Sequence, residues 1–150
     1  MNRQEKAVEK FSNGYNCAQA VVMAFADKLG LSEEQCAIMS EGFGGGMGRT
    51  RSVCGAVSGM VMLAGLKLSG GKAKDMETRT KIYQAVQAMI GKFKAEMGTT
   101  ICAELLGEQL PKDKGAVPTE RNESFYKKRP CSELVRICTA IAEETLFGEE

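Results

Sequence analysis

The chain has 150 residues, 43% of them hydrophobic and 26% charged, which is enough for one hydrophobic core without a disulfide staple. Its 20 basic and 19 acidic residues leave a net charge of +1, arguing against nucleic acid or an acidic membrane surface as the main partner. Histidine is absent, so a Ser-His-Asp or Cys-His site, a histidine general base and histidine metal ligands are all excluded. The opening MNRQEKAVEKF lacks the apolar core of a signal peptide. The longest nearly apolar run, Val53 to Leu66, is interrupted by Ser58 and falls short of the roughly 20 residues a membrane span needs. The expectation is therefore a cytoplasmic protein, in which stable structural disulfides are rare. Its 6 cysteines then mean redox chemistry, metal binding or plain burial.

The apolar spacing predicts helices throughout, with no sustained strand alternation. The first runs from Arg3 to Phe11 and stops at Ser12-Asn13-Gly14. Asn16, with Gln19 three residues on, has the spacing of a capping box and opens a second helix that reaches Leu29 and stops at Gly30. Ser32, with Gln35 three residues on, opens a third that carries Cys36. It dissolves into Gly42-Phe43-Gly44-Gly45-Gly46-Met47-Gly48-Arg49, too glycine-rich for anything but a loop.

Ser52 is the expected cap of a fourth helix from Val53 to Leu68. Gly55 and Gly59, four apart, share a face on which another backbone can come close. A fifth helix spans Ala73 to Met97 with an apolar stripe of Ile82, Val86, Met89, Ile90, Phe93 and Met97. Thr99 or Thr100 caps a short sixth, Ile101 to Leu106. The stretch Pro111 to Arg129 reads as polar and irregular. Pro130 then opens a last helix striped by Leu134, Ile137, Cys138 and Ile141. The expected fold is all-α: one domain over 1–150, a compact bundle of six to seven helices with a glycine-rich loop.

On these helices Cys17, Cys54, Cys102 and Cys131 all fall in a first turn, where unpaired N–H groups and the positive end of the helix dipole favour thiolate over thiol. Thiolate is both the nucleophile and the metal ligand. Cys36 and Cys138 lie deeper and read as buried small hydrophobes. No Cys-x-x-Cys occurs, which excludes a thioredoxin-type motif and a zinc ribbon. The glycine loop is not a Walker loop, because Phe43 stands where its first glycine belongs and Arg49 replaces the lysine. Its expected use is to bring the backbone of Gly44, Gly45 and Gly46 close to a sulfur site or cofactor, with Arg49 and Arg51 carrying positive charge toward Cys54. On that basis Cys54 is the expected principal nucleophile.

The succession Gly14-Tyr15-Asn16-Cys17-Ala18-Gln19-Ala20, the glycine loop, Cys54-Gly55-Ala56-Val57-Ser58-Gly59, Cys102-Ala103-Glu104-Leu105-Leu106-Gly107 and Cys131 resembles the C_GCAxxG_C_C family, bacterial and archaeal proteins described as redox-active. The resemblance covers nearly the whole chain and implies Cys17, Cys54, Cys102 and Cys131 as the family's four cysteines. Ser132 stands where related sequences often carry proline, and Cys138 is the alternative to Cys131. Three functions stay open: thiol–disulfide redox chemistry by these cysteines, an iron–sulfur cluster or zinc held by the same four, and a non-catalytic binding module with a cysteine-rich core. The expected partner is an unspecified redox protein or substrate, and self-association into a homo-oligomer is left open.

Overall fold

The computed structural model describes residues 1–148. Helix α1 (Arg3–Ser12) opens from a capping box between Asn2 and Glu5. Helix α2 (Cys17–Met23) opens from the expected box of Asn16 and Gln19, and α4 (Glu33–Ser40) from that of Ser32 and Gln35. The second expected helix does not run unbroken to Leu29. It leaves helical geometry at Phe25 (φ −113°, ψ 8°) and resumes as α3 (Ala26–Leu29), ended by left-handed Gly30. Two tertiary contacts hold the break: Arg3 Nη1 donates to the Ala24 carbonyl at 2.6 Å, and the Phe25 ring stacks on Phe147 at 4.8 Å.

The glycine loop folds into a one-turn 3₁₀ segment, Glu41–Phe43, and a tight turn, α5 (Gly44–Met47). The turn is helical only in its hydrogen bonding, because Gly45 and Gly46 have φ of 67° and 69°. Helix α6 (Gly55–Leu68) begins two residues later than expected. Val53 instead forms an isolated antiparallel bridge with Ile101, which makes Cys54 the N-cap. Helix α7 (Met76–Met97) is capped by Asp75 rather than starting at Ala73, and left-handed Gly98 ends it as expected. Of its predicted stripe, only Met89 and Phe93 are buried. Helix α8 (Cys102–Leu106) is followed by a 3₁₀ turn, Gly107–Gln109.

The segment expected to be irregular from Pro111 to Arg129 contains a further helix, α9 (Glu123–Lys128), capped by Asn122. Its aromatic residues pack on α1: Phe11 contacts both Phe125 and Tyr126. Helix α10 (Cys131–Phe147) opens at Pro130.

One continuous core joins α1, α2, α6, α7 and α10. The backbones of α6 and α2 approach closely. A Cβ on Gly59 would stand 2.9 Å from the Ala18 carbonyl oxygen, and one on Gly55 would stand 3.4 Å from Cys17 Cβ. The two glycines thus do what their spacing foretold, and they bring the start of α2 against the start of α6. Among the described residues no helix is long and apolar enough to cross a membrane.

Candidate functional site

The ends of α2, α6, α8 and α10 meet because local backbone chemistry holds them there. Asn16 caps α2 and also donates its Nδ2 to the Glu41 carbonyl at 2.9 Å, tying the glycine turn over the start of that helix. Gly44 passes so close that a Cβ would collide with the Asn16 side chain. From the turn, Arg51 and Ser52 donate their amides to the Gly45 and Gly46 carbonyls at 3.1 and 2.8 Å. The next residues are stitched to the start of α8: the Cys54 amide donates to the Thr100 carbonyl at 2.8 Å, and the Cys102 amide to the Ser52 carbonyl at 2.6 Å. This double stitch around the Val53–Ile101 bridge fixes Cys54 and Cys102 on neighbouring backbone. Three non-glycine residues of this stretch, Met47, Arg49 and Arg51, sit in the left-handed region (φ 67°, 67° and 61°), which costs roughly 1–3 kcal/mol each.

All four expected cysteines line one cavity of about 350 Å³. Gly44, Gly45, Gly46 and Arg49 line it too. Cys17, Cys102 and Cys131 are the first residues of α2, α8 and α10, and Cys54 caps α6. Cys17 is half-buried and the other three are buried. Cys36 and Cys138 are fully buried and do not line the cavity. Cys138 lies about two turns further along α10, so Cys131, not Cys138, lines the cavity.

The four thiols are not equivalent. Cys17 and Cys131 act on each other and titrate as a pair, so that one of the two holds its proton while the other gives it up. The neighbouring Cys131 and burial push the Cys17 thiol well above its ordinary range. The neighbouring Cys17 thiol, together with the guanidinium groups of Arg129, Arg121 and Arg51, pulls Cys131 down to about 7 against the cost of burial. At Cys54 the order is reversed. The amides of Ala56 and Val57 favour its thiolate, as a helix start should, but burial outweighs them and pushes the thiol up to about 11. Burial thus works against the thiolate at Cys54, on which its expected role as principal nucleophile rests.

The arginines also differ from expectation. Arg49 reaches the cavity wall, but its guanidinium is taken by the segment that follows α8: Asp113 at 2.9 Å, the Gly115 carbonyl at 2.5 Å and Thr119 at 2.8 Å. Arg51 lies against Cys102, not Cys54, with Nη1 3.7 Å from its sulfur. Two arginines that carry charge into the site were not foreseen. Arg129 precedes Pro130-Cys131 and lies over the Phe125 ring at 4.6 Å. Arg121 lies over Phe11 at 4.4 Å and donates to the Phe11 and Tyr15 carbonyls. The adjacency of Arg129 to Cys131 was the one signal in the sequence that could have found either.

Among the described residues no three cysteine, aspartate or glutamate side chains are grouped closely enough to hold one metal ion. The donor set does not fit a single zinc ion.

Residues 15–145 match the family described as "Putative redox-active protein (C_GCAxxG_C_C)". An "Uncharacterized protein" of Archaeoglobus fulgidus is 28% identical over 154 residues, which cover 98% of this chain and 95% of that protein. No solved structure matches the chain.

Proposed function

The chain belongs to the C_GCAxxG_C_C family, and from that premise we propose that it is a thiol–disulfide redox protein whose working pair is Cys17 and Cys131. The observation that carries this reading is that these two thiols, the first residues of α2 and α10, line one cavity, where Cys17 and the neighbouring guanidinium groups pull Cys131 down to about 7. An attacking thiol works best when its pKa lies near ambient pH, where it is largely thiolate yet still strongly nucleophilic. Cys131 meets that condition, and Cys17 stands next to it as the resolving thiol. Forming a disulfide between them releases two protons and two electrons to an acceptor. Cys54 and Cys102, buried and fixed on neighbouring backbone, are the reserve pair.

A second reading is favoured by one observation: all four thiols line the same cavity. An iron–sulfur cluster spanning that space would use Cys17, Cys54, Cys102 and Cys131 as ligands and would supply one-electron chemistry. The test is anaerobic purification, analysis for iron and acid-labile sulfide, and thiol counting before and after mild oxidation. The expected result is a loss of two thiols per chain with no stoichiometric iron or sulfide. Stoichiometric iron and sulfide would overturn the disulfide reading. Cysteines inert to oxidation in the folded protein would overturn both.

A further inference from the structure

The cavity that holds the thiol pair carries more positive charge than the pair needs. Arg51, Arg121 and Arg129 line it, as does Arg49, and the only acidic residue among its lining is Glu41. Arg49 is neutralised by Asp113. Arg121 is spent on two backbone carbonyls. Arg51 and Arg129 are different. Neither forms an ion pair with a carboxylate of the described residues, and their hydrogen-bond partners are a thiol and one threonine hydroxyl, Cys102 and Thr119. A guanidinium has five N–H donors, so most of this capacity is free. Both groups are half-buried. The rest of the wall is apolar, with Leu105, Leu106, Phe125 and Leu134. At about 350 Å³ the space lies at the small end of the roughly 300–1,000 Å³ of small-molecule pockets.

Resting on the redox reading above, we infer that the substrate is a small organic disulfide bearing carboxylate groups, its acidic end held by Arg51 and Arg129 and its sulfurs against Cys131. The Cys131 thiolate attacks one substrate sulfur. The substrate S–S bond breaks, and the first thiolate leaves and takes a proton from solvent. The Cys17 sulfur then attacks Cys131, passing its proton to the second leaving thiolate. The protein loses two electrons as the Cys17–Cys131 disulfide forms. The substrate gains them and departs as two thiols. Two unpaired guanidiniums suit carboxylates, which they can bind in bidentate fashion.

The test uses the reduced full chain and three small aliphatic disulfides of similar size: dithiodiglycolate, which is dianionic, neutral hydroxyethyl disulfide and dicationic cystamine. Single-turnover rates at low salt are normalised to those of a free model thiol. The normalised rate for the acidic probe should exceed that for cystamine by about tenfold or more. Arg51→Gln and Arg129→Gln should each cut that ratio several-fold, while Arg136→Gln, on the exposed face of α10, leaves it unchanged. Because a shift in Cys131 acidity affects all three probes alike, the ratio isolates recognition from reactivity. A Cys17–Cys131 disulfide that forms with no charge preference, or with a preference that survives both substitutions, overturns the substrate class and leaves the redox reading standing. No disulfide with any probe overturns both.

Discussion

Gly46 backs directly onto Cys102: a Cβ built at Gly46 would stand 2.6 Å from Cys102 Cβ and 2.8 Å from the Arg51 Cα. The second neighbour is backbone and cannot turn away, and Gly46 also sits at φ 69°. Gly46→Ala therefore has to move either the glycine turn or the start of α8. The expected cost is about 1–3 kcal/mol. Thermal or urea unfolding reads that cost, and the accessibility of Cys102 to alkylation should rise with it. Gly65→Ala is the control, since nothing lies within 4 Å of a Cβ there. Equal stability of the two variants would show that the turn does not set the position of Cys102.

The acidity of Cys131 gives a pH signature. Its alkylation rate in the folded chain should climb through a midpoint near 7, while Cys54, pushed up to about 11, stays slow across the neutral range. Cys17→Ala removes the neighbour that most favours the thiolate, and Arg129→Gln removes the largest cationic contribution to it. Each should move the Cys131 midpoint upward. Rates resolved by peptide mass spectrometry decide this, and a Cys54 that labels first would restore the sequence-based expectation.

Stability should fall at alkaline pH. Cys54 is raised from an ordinary 9.0 to about 11, so its neutral thiol contributes stability that is complete below about 9 and lost as pH rises through 11. Cys17, also raised, acts in the same direction. Cys131 acts oppositely: its contribution is present above its ordinary 9.0 and lost as pH falls through about 7. Urea unfolding of the reduced chain between pH 8 and about 10.5 should show a loss that Cys54→Ala reduces. An unchanged slope in that variant would mean Cys54 is not buried as a thiol.

How much of this was legible in the sequence follows from how local each signal is. The caps Asn16 and Ser32, each with glutamine three residues on, and the stops at Gly30 and Gly98 depend on a few adjacent residues, and all stand where expected. The Val53–Ile101 bridge does not: a single bridged pair leaves no alternation to read, and it alone moved Cys54 from within α6 to its cap. Helix α9 is six residues long with no apolar stripe of its own, and its packing on Phe11 is tertiary. The four cysteines could be picked out by their predicted helix starts. Their ranking could not, because it depends on which of them burial isolates and which the fold surrounds with Arg51, Arg121 and Arg129.

The account stands most directly on which disulfide forms first. The reduced chain is treated with a limiting amount of oxidant, alkylated to trap free thiols, digested without reduction and mapped by mass spectrometry. A cross-link between the peptides of Cys17 and Cys131 ahead of every other pair is the predicted result. A first cross-link between Cys54 and Cys102, or one involving Cys36 or Cys138, would contradict it.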